Sequence, residues 1–227
     1  MSDLLREFCA ENFTCVPAAI AAGARRIELC DNLAVGGTSP SMGVIEATVD
    51  YAHGHGARVM AMVRPRGGGF VYSDREVGMM ETDARIALAL GVDGIVFGCL
   101  AADETGALAL DVPTAERLMA IAREAASERG EAVDVTFHMA FDALPEERQL
   151  DAIDAIAELG CTRILTHGGP AGTPIADNLD RLAAYIERAA GRLIILPGAG
   201  ITWENVDAVA ERLGVGECHG TKIVKVA

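Results

Sequence analysis

Two arginines stand where a buried strand is expected to end. The apolar run Met60–Val63 gives way to Arg64, Pro65 and Arg66, and three glycines follow. A guanidinium group pairs well with carboxylates and phosphates, and glycine lets a ligand approach the backbone closely. The stretch therefore predicts an anion site at the carboxyl end of a strand, with a solvated turn as the alternative.

Two glutamates lie inside other predicted strands. Glu7 and Glu28 belong to neighbouring apolar runs. A buried carboxylate is costly unless it is paired, so we expect both to be partners of Arg64 and to contribute to a ligand site. The alternative is a network of buried ion pairs that only stabilises the protein interior.

The run Thr136-Phe-His138-Met-Ala-Phe-Asp142 offers acid–base chemistry. The two-residue period of a strand places Thr136, His138 and Asp142 on one face, with Thr136 as a ligand contact. His138 beside acids is a candidate general acid or base, because its pKa is easily moved into the working range. A satisfied core histidine is the alternative. Glu28, His138 and Asp142 are the candidate catalytic residues.

A glycine turn follows the next-to-last predicted strand. Gly198, Ala199 and Gly200 resemble a turn before a helix start, where bare amides and the helix dipole bind phosphate. Phosphate-binding barrels use this position, after strand seven and beside strand eight. A tight structural turn is the alternative.

Sulfur side chains permit a metal site. Cys9 and Cys30 fall on adjacent predicted strands with an inward phase, and Met60 and Met62 come from a third. Soft sulfur ligands suit Cu(I) or zinc. Buried cysteine and methionine are also common as core filler.

A repeated pattern predicts the architecture that must position these residues. Helix-like stretches end at a glycine, and a short β-branched run follows, which is typical of a helix stop and a buried strand. Eight evenly spaced strands and seven helices favour a closed (β/α)₈ TIM barrel in one domain, 1–227, over an open doubly wound sheet. The final helix is expected to be absent or vestigial, which would favour a homodimer. The predicted strands lie near residues 5–10, 26–30, 58–64, 95–100, 134–140, 162–167, 193–197 and 217–221.

Composition narrows the class of partner. The net charge of −14 disfavours nucleic acid and anionic membranes. The six cysteines are scattered and expected to be reduced. No export segment opens the chain, and no apolar run reaches the roughly 18 residues of a membrane span. We expect a soluble cytoplasmic protein.

Six motifs, in order and at matching spacing, resemble the CutC family of copper homeostasis proteins. The resemblance runs from about residue 5 to residue 221. The motifs are Arg26-Ile-Glu-Leu-Cys30, Gly36-Gly-Thr-Ser-Pro-Ser-Met-Gly43, Arg64-Pro-Arg-Gly-Gly, Tyr72-Ser-Asp74, the run from Thr136 to Asp142, and Gly198-Ala-Gly200.

The resemblance implies a closed (β/α)₈ barrel, a cytoplasmic location, often a dimer, and copper binding through Cys9 and Cys30. It also implies a polar cluster made of Glu7, Glu28, Arg64, Arg66, His138 and Asp142. The chain departs from the family pattern at Met139, Gly69 and His167, and in its last strand, where His219-Gly-Thr replaces His-Ser-Ser. An enzyme acting on a small phosphorylated or carboxylated metabolite is the alternative function.

Overall fold

Eight parallel strands form one sheet that curls into a nearly closed barrel. The structure is a computed structural model that describes residues 4–226. Its strands are β1 (Leu5–Glu11), β2 (Arg26–Cys30), β3 (Arg58–Met62), β4 (Gly94–Phe97), β5 (Leu100–Ala102), β6 (Leu108–Leu110), β7 (Asp134–Phe137), β8 (Arg163–Thr166), β9 (Ile194–Pro197) and β10 (Glu217–Gly220). All except β5 and β6 belong to the barrel, in the order β10-β1-β2-β3-β4-β7-β8-β9. The predicted fold class is confirmed.

Seven α-helices connect the barrel strands, as the sequence pattern predicts. They are α1 (Val16–Ala21), α2 (Met42–Gly54), α3 (Asp74–Ala89), α4 (Val112–Arg129), α5 (Glu146–Leu159), α6 (Leu179–Ala189) and α7 (Val206–Leu213). Among the described residues, none of these helices has the length and apolar character needed to cross a membrane.

Local sequence signals explain where several helices begin and end. Ser73 and Glu76 form a capping box at the start of α3, and the Asp111 side chain accepts from Thr114 N at the start of α4. Gly160 ends α5 in the left-handed conformation, with φ of 90°. Helix α7 begins after Asn205, its N-cap residue.

The ends of β3 and β7 differ from the prediction. β3 stops at Met62 and β7 at Phe137, so Arg64 and His138 lie beyond the strands. The chain after β4 forms a small antiparallel hairpin of β5 and β6, which the period pattern does not reveal. Short runs of leucine and alanine carry no clear strand signal.

The ladder has one break among the described residues, between β9 and β10. Each of the other neighbouring barrel strands is paired in parallel, and β10 pairs with β1. An isolated bridge between Thr202 and Lys222 lies beside this break. Residues 221–226, after β10, form no helix.

Charged side chains fill the amino-terminal half of the barrel interior. Arg26 is fully buried and donates to Glu7 and, at 2.7 Å, to Glu217. Arg163 donates to the same Glu217 oxygen at 2.7 Å. A buried ion pair is strongly destabilised when one partner is removed, because the other charge stays desolvated. This network therefore holds β1, β2, β8 and β10 in register.

Replacing Arg26 tests that role. Arg26→Leu leaves Glu7 without its closest cation, so the free energy of unfolding should fall by roughly 3–5 kcal/mol. The matched control is Arg212→Ala, which breaks an exposed pair with Asp180 and should cost at most about 1 kcal/mol. Urea unfolding of the parent and both variants measures the difference. Equal losses in the two variants would contradict a structural role for the buried pair.

Candidate functional site

A cavity of about 150 Å³ opens at the carboxyl ends of the barrel strands. Four of the predicted site residues line it, namely Cys9, Glu28, Arg64 and His138, and each comes from a different barrel strand or from the loop after it. Its lining is Cys9, Glu28, Leu33, Gly36, Met62, Arg64, Phe70, His138, Met139, Leu165 and His219. The cavity is thus mainly apolar, with a few polar groups facing it.

Two thiols and a carboxylate converge on one side of the cavity. Cys9 is the ladder partner of Glu28, and Cys30 follows Glu28 on the same face of β2. One ligand atom from each of the three lies within 4.8 Å of the others. Met60 and Met62 pack with both thiols in one buried cluster. The sulfur side chains of Cys9, Cys30, Met60 and Met62 thus lie together, and metal binding by them stays a prediction.

Both thiols are protonated in this environment. The hydrogen bond with Cys30 and burial raise the pKa of Cys9 well above its usual value. For Cys30, the bond from Cys9 acts in the opposite direction, but burial and the nearby Glu28 carboxylate raise its pKa overall. A metal ion that binds here must displace protons from sulfur.

His219 joins the two glutamates. Its Nδ1 lies 2.8 Å from Glu7 Oε1, and its Nε2 lies 3.6 Å from Glu28 Oε2. Burial acts to lower the His219 pKa, but Glu28 and Glu7 outweigh it and raise that pKa well above the usual range. The imidazolium form of His219 is therefore favoured between Glu7 and Glu28.

The two glutamates respond differently to this cation. Burial acts to raise the pKa of Glu7, but Arg26 and His219 together hold it at about 2. Burial raises the pKa of Glu28, and His219 only partly offsets the rise. The Glu28 Oε1 atom has no hydrogen-bond partner among the described residues. Glu28 is thus the less satisfied carboxylate, and it is the one that faces the cavity.

Sequence reasoning places His219 in the last strand but gives it no role. Glu7 has His219 and Arg26 as its ladder partners, one on each side. The register between strands so far apart in the chain sets this contact, and a single sequence carries no signal for it. The charge of Glu7, which must be compensated when buried, is the only hint.

The expected pairing of Arg64 with the glutamates is wrong. Arg64 is 4% exposed, and it donates to the carbonyl oxygens of Val35 at 3.0 Å, Gly37 at 2.8 Å and Gly68 at 2.7 Å. The reason is that β3 ends at Met62, so the Arg64 side chain reaches the adjoining loops instead. Its Nε has no partner among the described residues.

His138 does not have the pKa near neutral pH that is expected of a general acid or base. Its Nδ1 accepts a hydrogen bond from Ala140 N at 3.1 Å, which assigns the ring proton to Nε2. Burial and the Arg64 charge lower the His138 pKa to about 3, so the ring is neutral. Nε2 has no partner among residues 4–226. The charge that shifts the His138 pKa is therefore that of Arg64, a cation, and not that of an acidic residue.

Two other predicted site residues, Arg66 and Asp142, form hydrogen bonds with groups outside the cavity. Arg66 pairs with Glu76 at the start of α3. Asp142 lies on a 3₁₀-helix after β7 and not on the strand face, and it accepts from Thr166 Oγ1 and from His167 N. Neither Arg66 nor Asp142 lines the cavity.

Thr136 and the glycine turn also lie outside the cavity lining. Thr136 is buried within β7, and its Oγ1 has no described partner. Ala199 and Gly200 have φ values of 60° and 74°, which makes a tight turn after β9. The next helix, α7, begins only at Val206, so its dipole does not reach the turn directly. Phosphate binding there stays a prediction.

The neutral state of His138 predicts a pH effect on stability. The unfolded chain takes up a proton near the ordinary pKa of 6.5, whereas the folded protein does so only near 3. The unfolded state therefore binds more protons as the pH falls, and the free energy of unfolding drops by about 1.4 kcal/mol per pH unit below that value.

A His138→Gln variant should lack this contribution. When the pH falls from about 7.5 to about 5, the free energy of unfolding of the parent should decrease by about 2 kcal/mol more than that of the variant. Titrations of the other groups are common to both proteins and cancel. Urea unfolding across this pH range measures the shift. Parallel pH profiles would contradict a neutral buried His138.

Comparisons with known proteins show which family this chain is similar to. A family model described as the CutC family matches residues 4–224. A family protein CutC from Enterococcus faecalis is 56% identical over 224 residues, which cover 97% of this chain and 100% of the relative. The copper homeostasis protein cutC homolog of Homo sapiens is 38% identical over 215 residues, which cover 95% of this chain and 72% of the relative.

Solved structures give the same result. A CutC crystal structure from Streptococcus agalactiae superposes with a TM-score of 0.87 and 42% identity, covering 97% of this chain and all of that one. An aldolase structure has a TM-score of 0.67 at 15% identity, covering 97% of this chain and 91% of that one, which reflects the barrel fold alone. A barrel of this sequence, with its sulfur and acid side chains gathered at one mouth, belongs to the CutC family.

Proposed function

We propose that this protein binds Cu(I) in the cytoplasm through the thiolates of Cys9 and Cys30, as a copper-handling protein. The observation that supports this most is that two thiols lie together with the thioethers of Met60 and Met62 on three adjacent strands. Cu(I) is a soft ion and prefers sulfur ligands.

Access and burial support a site for one ion. Cys9 lines the cavity and is 7% exposed, whereas Cys30 lies deeper at 1%. An ion can reach Cys9 first and then be enclosed between the two sulfurs. The Glu28 carboxylate lies beside both thiols and can receive or release the protons that the metal displaces.

The names of relatives point the same way. The Homo sapiens relative is named a copper homeostasis protein homolog. Cys9 and Cys30 are the residues that the family resemblance assigns to copper. We also expect a homodimer, which a single measurement of mass in solution would check.

Serine substitutions test the site. The reduced protein should bind about one Cu(I) per chain, and Cys9→Ser or Cys30→Ser should weaken binding by at least roughly tenfold, because each removes a thiolate ligand. Competition with a Cu(I) chelator under anaerobic reducing conditions measures the affinity.

Two cysteines outside the cavity serve as matched controls. Cys15 is exposed and Cys218 is buried in β10 away from the cavity lining. Cys15→Ser and Cys218→Ser should bind copper as the parent does. If the double Cys9/Cys30 serine variant also binds like the parent, the copper proposal fails.

A further inference from the structure

Arg64 is a buried cation without a counterion. Its three hydrogen bonds go to backbone carbonyl oxygens, which are neutral, and no carboxylate forms an ion pair with it among the described residues. The adjacent His138 ring is neutral as well. A desolvated charge is costly unless it is compensated. An anion in the cavity would compensate it.

Two N–H groups beside the cavity lack an acceptor. Arg64 Nε and His138 Nε2 are both buried without a hydrogen-bond acceptor within residues 4–226, and both side chains line the cavity. The Tyr72 hydroxyl, which lies beside the Arg64 guanidinium, is buried without a partner as well. The Phe70 ring lies 5.0 Å from the Arg64 guanidinium carbon and 5.2 Å from the His138 ring centroid. Both side chains therefore contact the same aromatic ring, and the Arg64 charge acts on the His138 pKa. Buried polar atoms are rarely left unsatisfied without a reason.

We propose that Arg64 and His138 form a binding site for the carboxylate of a small monocarboxylic acid, whose apolar body packs against Leu33, Met62 and Leu165. The two free donors match the two oxygens of one carboxylate. The apolar side chains supply the remaining contact, and they also line the cavity.

Size and charge favour this class of ligand over a phosphate. The cavity of about 150 Å³ is on the order of one that takes up a single benzene-sized molecule. A phosphate dianion needs more donors than these two, and the carboxylate of Glu28 in the same lining disfavours a second negative charge. The glycine turn at Gly198, which would supply amides to a phosphate, is not part of the lining.

The proposal does not depend on copper binding. The donors follow β3 and β7, whereas the thiols lie within β1 and β2. A double Cys9→Ser, Cys30→Ser variant should therefore keep the carboxylate site. Failure of the copper site would leave this proposal standing, and the reverse also holds.

Binding of simple probes tests the proposal. Calorimetric titration of the full chain with straight-chain acids from acetate to valerate should give saturable binding. The matched uncharged amides should not bind, because they cannot compensate Arg64. Inorganic phosphate should bind more weakly than the best of the acids.

Matched variants identify the donors. His138→Asn keeps an acceptor for Ala140 N but removes the Nε2 donor, and it should weaken acid binding roughly ten- to a hundredfold. His138→Gln, whose amide nitrogen can take the place of Nε2, should restore much of the affinity. Arg64→Lys keeps the charge without the Nε donor and should also bind more weakly.

Thermal unfolding of each variant checks that it is folded at the titration temperature. The proposal is overturned if the parent binds no monocarboxylate, if phosphate binds more tightly than every acid, or if folded His138→Asn and Arg64→Lys variants bind as the parent does.

Discussion

A line of buried charges of alternating sign runs through the barrel interior, a region that barrels of this architecture usually fill with aliphatic layers. Each charge within the line lies between neighbours of opposite sign, and each charge at an end has one such neighbour, so each offsets the desolvation of the next. The line begins near the amino-terminal end of the strands and ends among the thiols at the carboxyl end. In order, it contains Asp134, Arg163, Glu217, Arg26, Glu7, His219 and Glu28.

This line makes the two sides of the cavity different. On one side the line ends at the Glu28 carboxyl group, which lies next to Cys9 and Cys30. That side of the cavity is an acidic, sulfur-rich surface suited to a soft cation. On the other side Arg64 and His138 offer N–H donors and a positive charge, and they take no part in the line. The proposed cation site and the proposed anion site thus share one small cavity without sharing a ligand atom.

The sequence predicts the barrel well, because a glycine after each helix and a β-branched run after each glycine are local signals. It also places Glu28, Arg64 and His138 around one mouth. The sequence does not predict the ion pairs inside the barrel. The partner of Glu7 is Arg26, the first residue of β2, and no motif marks Arg26 as buried. The sequence pattern also extends β7 too far, so Asp142 is expected in the site when it lies on a 3₁₀-helix.

The charge of His219 is the most direct test of this account, since His219 joins the barrel interior to the site. Nitrogen NMR of the histidine side chains, assigned with a His219→Gln variant, reports whether both ring nitrogens carry protons. At a pH of about 8, where an ordinary histidine is neutral, we expect His219 to remain an imidazolium. A neutral His219 ring at that pH would contradict the alternating line of charges.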